Sequence, residues 1–454
     1  MKATEKIYKN SLIYSIGNLG SRGISFIFYP LYSYYLTTAE YGTYDVIIAT
    51  ISLLMPLLTF HIPESIVKYL GEEKKNTVIS SSLVMAIICF TLSIFVSCIY
   101  IYIEDFSSLL IVWISVQVIN QYLLYITRGL GKNIIYSLCS IISSCVTVVS
   151  NIVLLICLRM GINALIYSGV LAELITMMFL VKKSRLLSYL SLSKVSKTLI
   201  KKMVLFSIPL IPSGMIWWIM NTSDKYIINA FMSVEANGIY AISYKFPTFI
   251  TLFYGFYNLA WQDFLYSEKE VGNYKQVIDQ FLGLVITVAI CVMYGAKIVC
   301  VYIVNKSYYE SYLYIPPIVI GMVFYCFSGF FGVQYRKKAE TRKEATSSIL
   351  GAITNIAINI LFIKKIGLWA AAISTMLAFF VVFIIRYRDA KIFLGYRIMT
   401  KENILKFIAL LIFCALYYIE STIATFALLG LGMVIFLLVN KSMLMDLFTS
   451  ILKK

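Results

Sequence analysis

The stretch SSLVMAIICFTLSIFVSCIYIYI, Ser81 to Ile103, decides the fold, because it carries no charge and is apolar on every side of a helix. A membrane-spanning helix takes about 20 residues at a 1.5 Å rise per residue. A strand of a membrane barrel takes about 10, with polar and apolar positions alternating, and this stretch does not alternate. Similar runs recur along the 454 residues, of which 60% are hydrophobic and 13% charged, with a mean hydropathy of +0.84. Soluble domains do not combine these values. The chain is therefore expected to be an all-α polytopic membrane protein.

Fourteen crossings are predicted, near residues 10–36, 44–66, 79–103, 108–128, 134–158, 162–181, 204–226, 238–262, 281–304, 312–333, 345–364, 367–386, 404–420 and 422–440. The first run is too long for the core of a signal peptide and lacks a cleavage site of small residues, so it is expected to stay in the mature protein. Basic residues set orientation. Lys2, Lys6, Lys9, Lys68, Lys74, Lys75, Arg128, Lys132, the runs Lys182 to Lys202, Arg336 to Lys343 and Arg386 to Lys406 fall on one side of such a path. Arg159, Lys225, Lys306, Lys364 and Lys365 fall on the other. Both termini are thus expected in the cytoplasm. The net charge of +17 fits this topology and contact with anionic membrane lipids, and gives no reason to expect nucleic acid as a partner.

Enzyme chemistry finds little to stand on. The nine cysteines lie in apolar runs without a C-x-x-C pair and read as small hydrophobes. With a single histidine, no H-E-x-x-H, no G-x-x-x-x-G-K-[ST] and no G-x-S-x-G, neither a catalytic residue, a metal nor another cofactor is expected. The longest connections, 182–203 and 387–403, read as basic linkers and leave no room for a soluble domain.

An internal repeat divides the chain. LTTAEYGTYDVI (36–47) aligns with MSVEANGIYAIS (232–243), placing Gly42 on Gly238 and Tyr44 on Tyr240, and RMGINA (159–164) echoes KIGLWA (365–370). The expected organisation is a six-helix lobe with a basic linker over 1–203, a second six-helix lobe over 204–400, and a helix pair with a basic tail over 401–454. Repeats in the same orientation place a shared cavity on the axis between them, opened to either side by rocking.

Charges inside the spans mark candidate sites, since an arginine at the bilayer centre costs at least about 2.5 kcal/mol if it faces lipid. Arg22 lies more than three turns beyond Lys9, roughly 20 Å along the helix axis, and is expected to face a wet cavity or an ion-pair partner such as Glu173. Lys245, just before Pro247, either faces the cavity or snorkels, and Lys297 is expected to snorkel. Asp224 and Lys225 are neighbours on a helix and cannot face each other. Asp224 reads either as the carrier of a coupling proton or sodium ion or as a structural carboxylate. In His61-Ile-Pro-Glu-Ser65, Pro63 is expected to break the helix, with Glu64 paired to Lys68 or, with His61, handling protons. Arg128 and Asp263 read as span-end snorkelling or capping groups.

Two stretches carry a resemblance: KNSLIYSIGNLGSRGISFIFYPLYSYYLTTAEYGTYDVI, and FSIPLIPSGMIWWIMNTSDKYIINAFMSVEANGIYAISYKF one half later. With Asp224-Lys225 followed by Gly238-x-Tyr240, the chain resembles the Wzx-type O-antigen and capsular polysaccharide repeat-unit flippases of the multidrug/oligosaccharidyl-lipid/polysaccharide (MOP) exporter superfamily. The resemblance implies a MATE-like fold and transport of an undecaprenyl-pyrophosphate-linked oligosaccharide across the bacterial inner membrane by alternating access, alongside polysaccharide polymerase and chain-length partners. A pyrophosphate head needs fixed cations, and an arginine fork suits its oxygens. Arg22, with Lys245 and Lys225 assisting, is the expected headgroup site; Asp224, Glu173, Glu64 and His61 are the ion-coupling or structural set. The rival readings are a cation-coupled multidrug or small-molecule exporter of the same superfamily and, less favoured because the outer connections are short, a membrane polysaccharide polymerase or ligase.

Overall fold

Inside a bilayer the backbone must satisfy its own hydrogen bonds, so apolar runs of this length fold as helices. The computed structural model describes residues 23, 28, 30–104, 108–267, 274–338, 340–394, 400–441, 443 and 445, and these residues are helical throughout, joined by short turns. The chain divides into two compact units, Met1–Trp218 and Ile219–Lys454.

In the first unit the helices are α1 (Thr38–Leu58), α2 (Ile62–Glu72), α3 (Lys75–Glu104), α4 (Leu109–Gly129), α5 (Asn133–Asn151, extended by a π-helical turn Ile152–Cys157), α6 (Ile162–Ser184) and α7 (Lys197–Ser207). Its core gathers on α4, where Val118, Tyr122 and Ile126 are fully buried. The Tyr122 hydroxyl donates to the Thr59 carbonyl at 3.2 Å, which ties α4 to the end of α1. α8 (Leu210–Phe231) begins in this unit and ends in the second.

The second unit continues with α9 (Val234–Lys245), α10 (Ile250–Ser267), α11 (Tyr274–Ile298), α12 (Ile315–Lys337), α13 (Thr341–Ile366), α14 (Leu368–Leu394), α15 (Lys401–Leu416) and α16 (Thr422–Val439). Its core is aromatic. Phe330 stacks on Phe281 with centroids 4.3 Å apart and on Trp261 at 4.4 Å, and the Trp261 indole N–H donates to the Phe330 carbonyl at 3.0 Å.

Among the described residues, 11 helices are long and apolar enough to cross a membrane. Most of the first predicted crossing lies outside the described residues. The eighth is interrupted at Pro247 by a 3-10 turn, as a proline that lacks its N–H requires. The thirteenth, α15, has 16 residues. The second predicted crossing is also divided, but not by Pro63. The helix stops at Leu58, Phe60 and His61 take left-handed conformations (φ 50° and 53°), and Pro63 sits in the first turn of α2, where its missing N–H leaves no helical bond unmade.

The two repeat signatures fold alike. Thr37 caps α1 by accepting from the Glu40 amide, and Ser233 caps α9 by accepting from the Ala236 amide; the Thr37 cap is a full capping box. Gly161 and Gly367 both turn with φ/ψ near 55°/−139° and 57°/−139°, a region open in practice to glycine alone. A side chain at Gly161 would also meet the Glu40 carboxylate at 2.5 Å, whereas at Gly367 it would meet the Met232 side chain at 3.4 Å.

The C-terminal helix pair packs on α11. The Tyr294 hydroxyl donates to the Phe413 carbonyl at 2.7 Å, and the Tyr417 hydroxyl donates to the Tyr312 carbonyl at 2.9 Å. Lys297, expected to snorkel, is instead 6% exposed: its ammonium donates to the carbonyls of Tyr417 and Ile419 at the end of α15, and lies 4.9 Å from the Tyr417 ring centre. These carbonyls lie in the cap and turn just past Leu416, and a cation near the C-terminal end of a helix is favoured by the helix dipole.

Candidate functional site

The deepest acid among the described residues of the second unit is Asp224. It sits about two-thirds of the way along α8, 2% exposed, and accepts from three side chains on three other helices. Asn359 of α13 donates its Nδ2 to Oδ1 at 2.9 Å, while the Thr375 hydroxyl of α14 and the Tyr240 hydroxyl of α9 donate to Oδ2 at 2.5 and 3.1 Å. A further shell follows: Ser223 donates to the Asn355 Oδ1 at 3.0 Å, and Asn355 Nδ2 lies 3.4 Å from the Thr375 hydroxyl. The Asn359 Oδ1 is buried without a hydrogen-bond partner.

Oxygens therefore dominate this site: one carboxylate, two amides and several hydroxyls, on helices otherwise apolar. Such a set suits a hard cation or a proton, because a carboxylate withdrawn from water needs compensation. The neutral donors here compensate by hydrogen bonding. The geometry also explains why Asp224 and Tyr240 stand in one sequence pattern, since the tyrosine hydroxyl is a ligand of the carboxylate. Asn355, Asn359 and Thr375 were missed in the sequence. Their signal was a pair of asparagines four residues apart on one face of an apolar helix.

The first unit holds a smaller polar cluster. Glu173 on α6 accepts from Asn120 Nδ2 of α4, and Asn120 also reaches the Thr176 hydroxyl at 3.4 Å. The Asn120 Oδ1 is buried without a partner. Arg22, the expected headgroup residue and a conceivable partner of Glu173, lies outside the described residues, as does the side chain of Asp263.

Lys225 is half-buried beside Asp224, and Lys245 is half-buried as the last residue of α9, its carbonyl accepting from the Thr248 hydroxyl at 2.5 Å across the Pro247 break. His61 and Glu64 form a local pair at the start of α2, Nδ1 to Oε1 at 3.6 Å, in place of the expected Glu64 to Lys68 contact. The Lys68 ammonium instead lies 4.5 Å from the Phe206 ring centre. His61 Nε2 points at Gly214, where a side-chain carbon would lie 2.7 Å away. Arg128 is exposed at the end of α4, as its span-end reading expected.

Among the described residues no group of three or more His, Cys, Asp or Glu side chains gathers as a metal cluster. One buried cation escaped the sequence reading. Arg386, taken there as part of a basic connection, is 1% exposed and donates to the Ser347 and Ser348 hydroxyls at 3.0 and 2.9 Å and to the carbonyls of Ser328 and Glu344 at 3.1 and 3.3 Å.

The fold is shared with known transporters. The chain is similar to the lipid II flippase MurJ in an inward closed conformation, with 15% identity over 96% of this chain and 100% of that one, at a TM-score of 0.68. It is also similar to a MATE protein in complex with MaD3S (14% identity, 86% and 96% covered, TM-score 0.61). A Vibrio cholerae MATE transporter matches at 10% identity, 88% and 98% covered, with a TM-score of 0.59. No curated protein sequence matches the chain. Residues 7–261, more than half of the chain, match the sequence profile described as polysaccharide biosynthesis protein. With its many apolar helices and a MATE- and MurJ-like fold, this multi-pass membrane chain belongs to the polysaccharide biosynthesis protein family.

Proposed function

We propose that the chain flips an undecaprenyl-pyrophosphate-linked oligosaccharide repeat unit from the cytoplasmic to the periplasmic leaflet of a bacterial inner membrane, with both termini in the cytoplasm. The observation that carries this reading is family membership over 7–261 joined to a MurJ-like fold across 96% of the chain. In this reading the lobes 1–203 and 204–400 rock about a shared cavity and the pair over 401–454 is an appendage. Arg22, Lys225 and Lys245 receive the pyrophosphate, because a doubly charged head leaving water needs fixed cations. Asp224 takes a sodium ion or proton whose re-entry drives the cycle, with Asn355, Asn359 and Thr375 turning their oxygens toward it. Glu173, Glu64 and His61 are structural or secondary proton-handling groups. Polysaccharide polymerase and chain-length proteins take up the flipped unit, for O-antigen or capsule.

Deletion of the gene in its host, with rescue by wild type or Arg22→Ala at equal membrane levels, tests it. Surface glycan is expected to vanish on deletion while lipid-linked oligosaccharide accumulates in the inner leaflet, and only wild type restores it. Unchanged surface glycan, together with a fall in drug tolerance, would sink the flippase and favour the exporter reading.

A further inference from the structure

One cavity in the second unit serves none of these roles. It lies between the first two turns of α13 and the last turns of α14, with a volume of about 530 Å³. Its rim is charged, with Arg342, Lys343, Glu340 and Asp389; Thr346 and Ser347 follow, and Leu350 and Ile385 close the deep end. Arg342 to Leu350 covers roughly 12 Å of helix at a 1.5 Å rise per residue. Both helices are candidate spans over Arg342–Ile366 and Leu368–Ile392, so the cavity occupies the level where a bilayer passes from headgroups to acyl chains. Past the deep end the surface is bare hydrocarbon: Ile349, Leu350 and Ile353 of α13 are exposed.

The rim carries two bases and two acids, and one base is left for a phosphate. Lys343 is tied to Glu340 at 2.9 Å, but the Arg342 guanidinium has no ion-pair or hydrogen-bond partner among the described residues, and Arg342 lines the cavity; only its backbone carbonyl is engaged, accepting from the Thr346 hydroxyl at 2.8 Å. Beneath the wall lies the buried guanidinium of Arg386, which donates to Ser347, itself a lining residue. A smaller recess of about 70 Å³ shares Glu340, Lys343 and Asp389 and is also lined by Gln334. Gln334 is 4% exposed and its Oε1 has no hydrogen-bond partner, while Asp389 accepts from the Tyr335 hydroxyl at 2.8 Å. Such acceptors suit a ligand that carries hydroxyls beside its phosphate.

We propose that this cavity seats the headgroup of an anionic phospholipid with a hydroxylated head, of the phosphatidylglycerol class, its phosphate against Arg342 and its acyl chains along Leu350 and Ile353. The site is separate from the transported substrate. It holds a lipid of one leaflet at the mouth of the α13–α14 pair and fixes the depth at which those helices sit.

The full-length protein, purified in mild detergent and re-lipidated with defined phosphatidylglycerol or phosphatidylcholine, is examined by native mass spectrometry for retained lipid. Wild type is expected to keep phosphatidylglycerol over phosphatidylcholine. The double variant Arg342→Gln/Lys343→Gln should lose about thirtyfold in retention, since each of the two interfacial cations is worth roughly 1 kcal/mol. Thr346→Trp, which fills the cavity and keeps every charge, should lose the same lipid. If the tryptophan variant does not fold, the charge variant decides. Lys364→Gln/Lys365→Gln removes two charges from the other end of α13 and should leave that retention within twofold. Equal loss in both double variants, or none in either, would overturn the site. So would displacement of the lipid by millimolar inorganic phosphate or glycerol phosphate, which would mark a soluble-anion site.

Discussion

Asp224 and Glu173 are two acids set among apolar helices, one in each unit, and their surroundings differ. Asp224 is met by side chains from α9, α13 and α14, with both carboxylate oxygens occupied. Glu173 is half-buried on a longer side chain and is met by Asn120 alone among the described residues. The first acid is fixed by four helices at once. The carboxylate of the second is held by one helix besides its own, so a mutation there is expected to be absorbed locally. A carboxylate held by many helices can report its own occupancy to all of them, which is what coupling a cation to helix movement needs.

The most severe way to break this contrast is Asp224→Leu. It leaves the Asn359 amide and the Thr375 and Tyr240 hydroxyls without their acceptor, and each unsatisfied buried group costs about 1–3 kcal/mol. Thermal unfolding in detergent should fall by about 3 kcal/mol or more in free energy, whereas Glu173→Leu should cost about half that or less. Sodium sharpens the comparison next. If Asp224 takes the ion, salt at 10 to 100 times its dissociation constant should stabilise wild type by roughly 1.4–2.7 kcal/mol. Potassium at equal strength, or Asp224→Asn in sodium, should give no such gain; a gain kept in Asp224→Asn would move the ion elsewhere. Tyr240→Phe removes one of three donors and is expected to cost about 1 kcal/mol. It should also weaken the sodium response. Glu173→Gln should be the mildest, within about 0.5 kcal/mol and with the sodium response intact. An equal response in Glu173→Gln and Asp224→Asn would erase the distinction between the acids.

Much of the fold could be read from hydropathy because a bilayer allows one kind of backbone, and a run such as Ser81 to Ile103 has no other way to satisfy itself. The internal repeat was legible because its equivalent positions, Thr37 and Ser233 at helix starts and Gly161 and Gly367 at turns, do jobs that few residues can do, although the caps themselves were not read. What stayed hidden is mostly sideways contact. Asp224 was singled out by its charge, but its partners Asn359 and Thr375, and Asn355 behind them, lie more than 100 positions away, and nothing in one sequence aligns those helix faces. Arg386 and Lys297 were misplaced by a common cause. A cation near a span end normally snorkels, and only packing shows that serine hydroxyls in one case and helix-end carbonyls in the other satisfy it within the protein. Pro63 misled because proline breaks a helix interior yet opens a helix start.

The clasp around Lys297 has a consequence for how the chain is made. The carbonyls that receive its ammonium belong to residues 120 and 122 positions further on. At a synthesis rate of about 5–20 residues per second, α11 leaves the ribosome on the order of ten seconds before they exist. During that interval the nascent protein carries an uncompensated cation inside a membrane helix, which is a state that quality-control proteases and insertion chaperones can detect. Arrival of α15 and the turn after it is then expected to compensate the charge. A chain truncated after Leu394 should accordingly be degraded faster than the full-length protein in a pulse-chase, and Lys297→Met should slow the loss of the truncated chain. Equal lifetimes of the truncated chains with and without Lys297 would rule this checkpoint out.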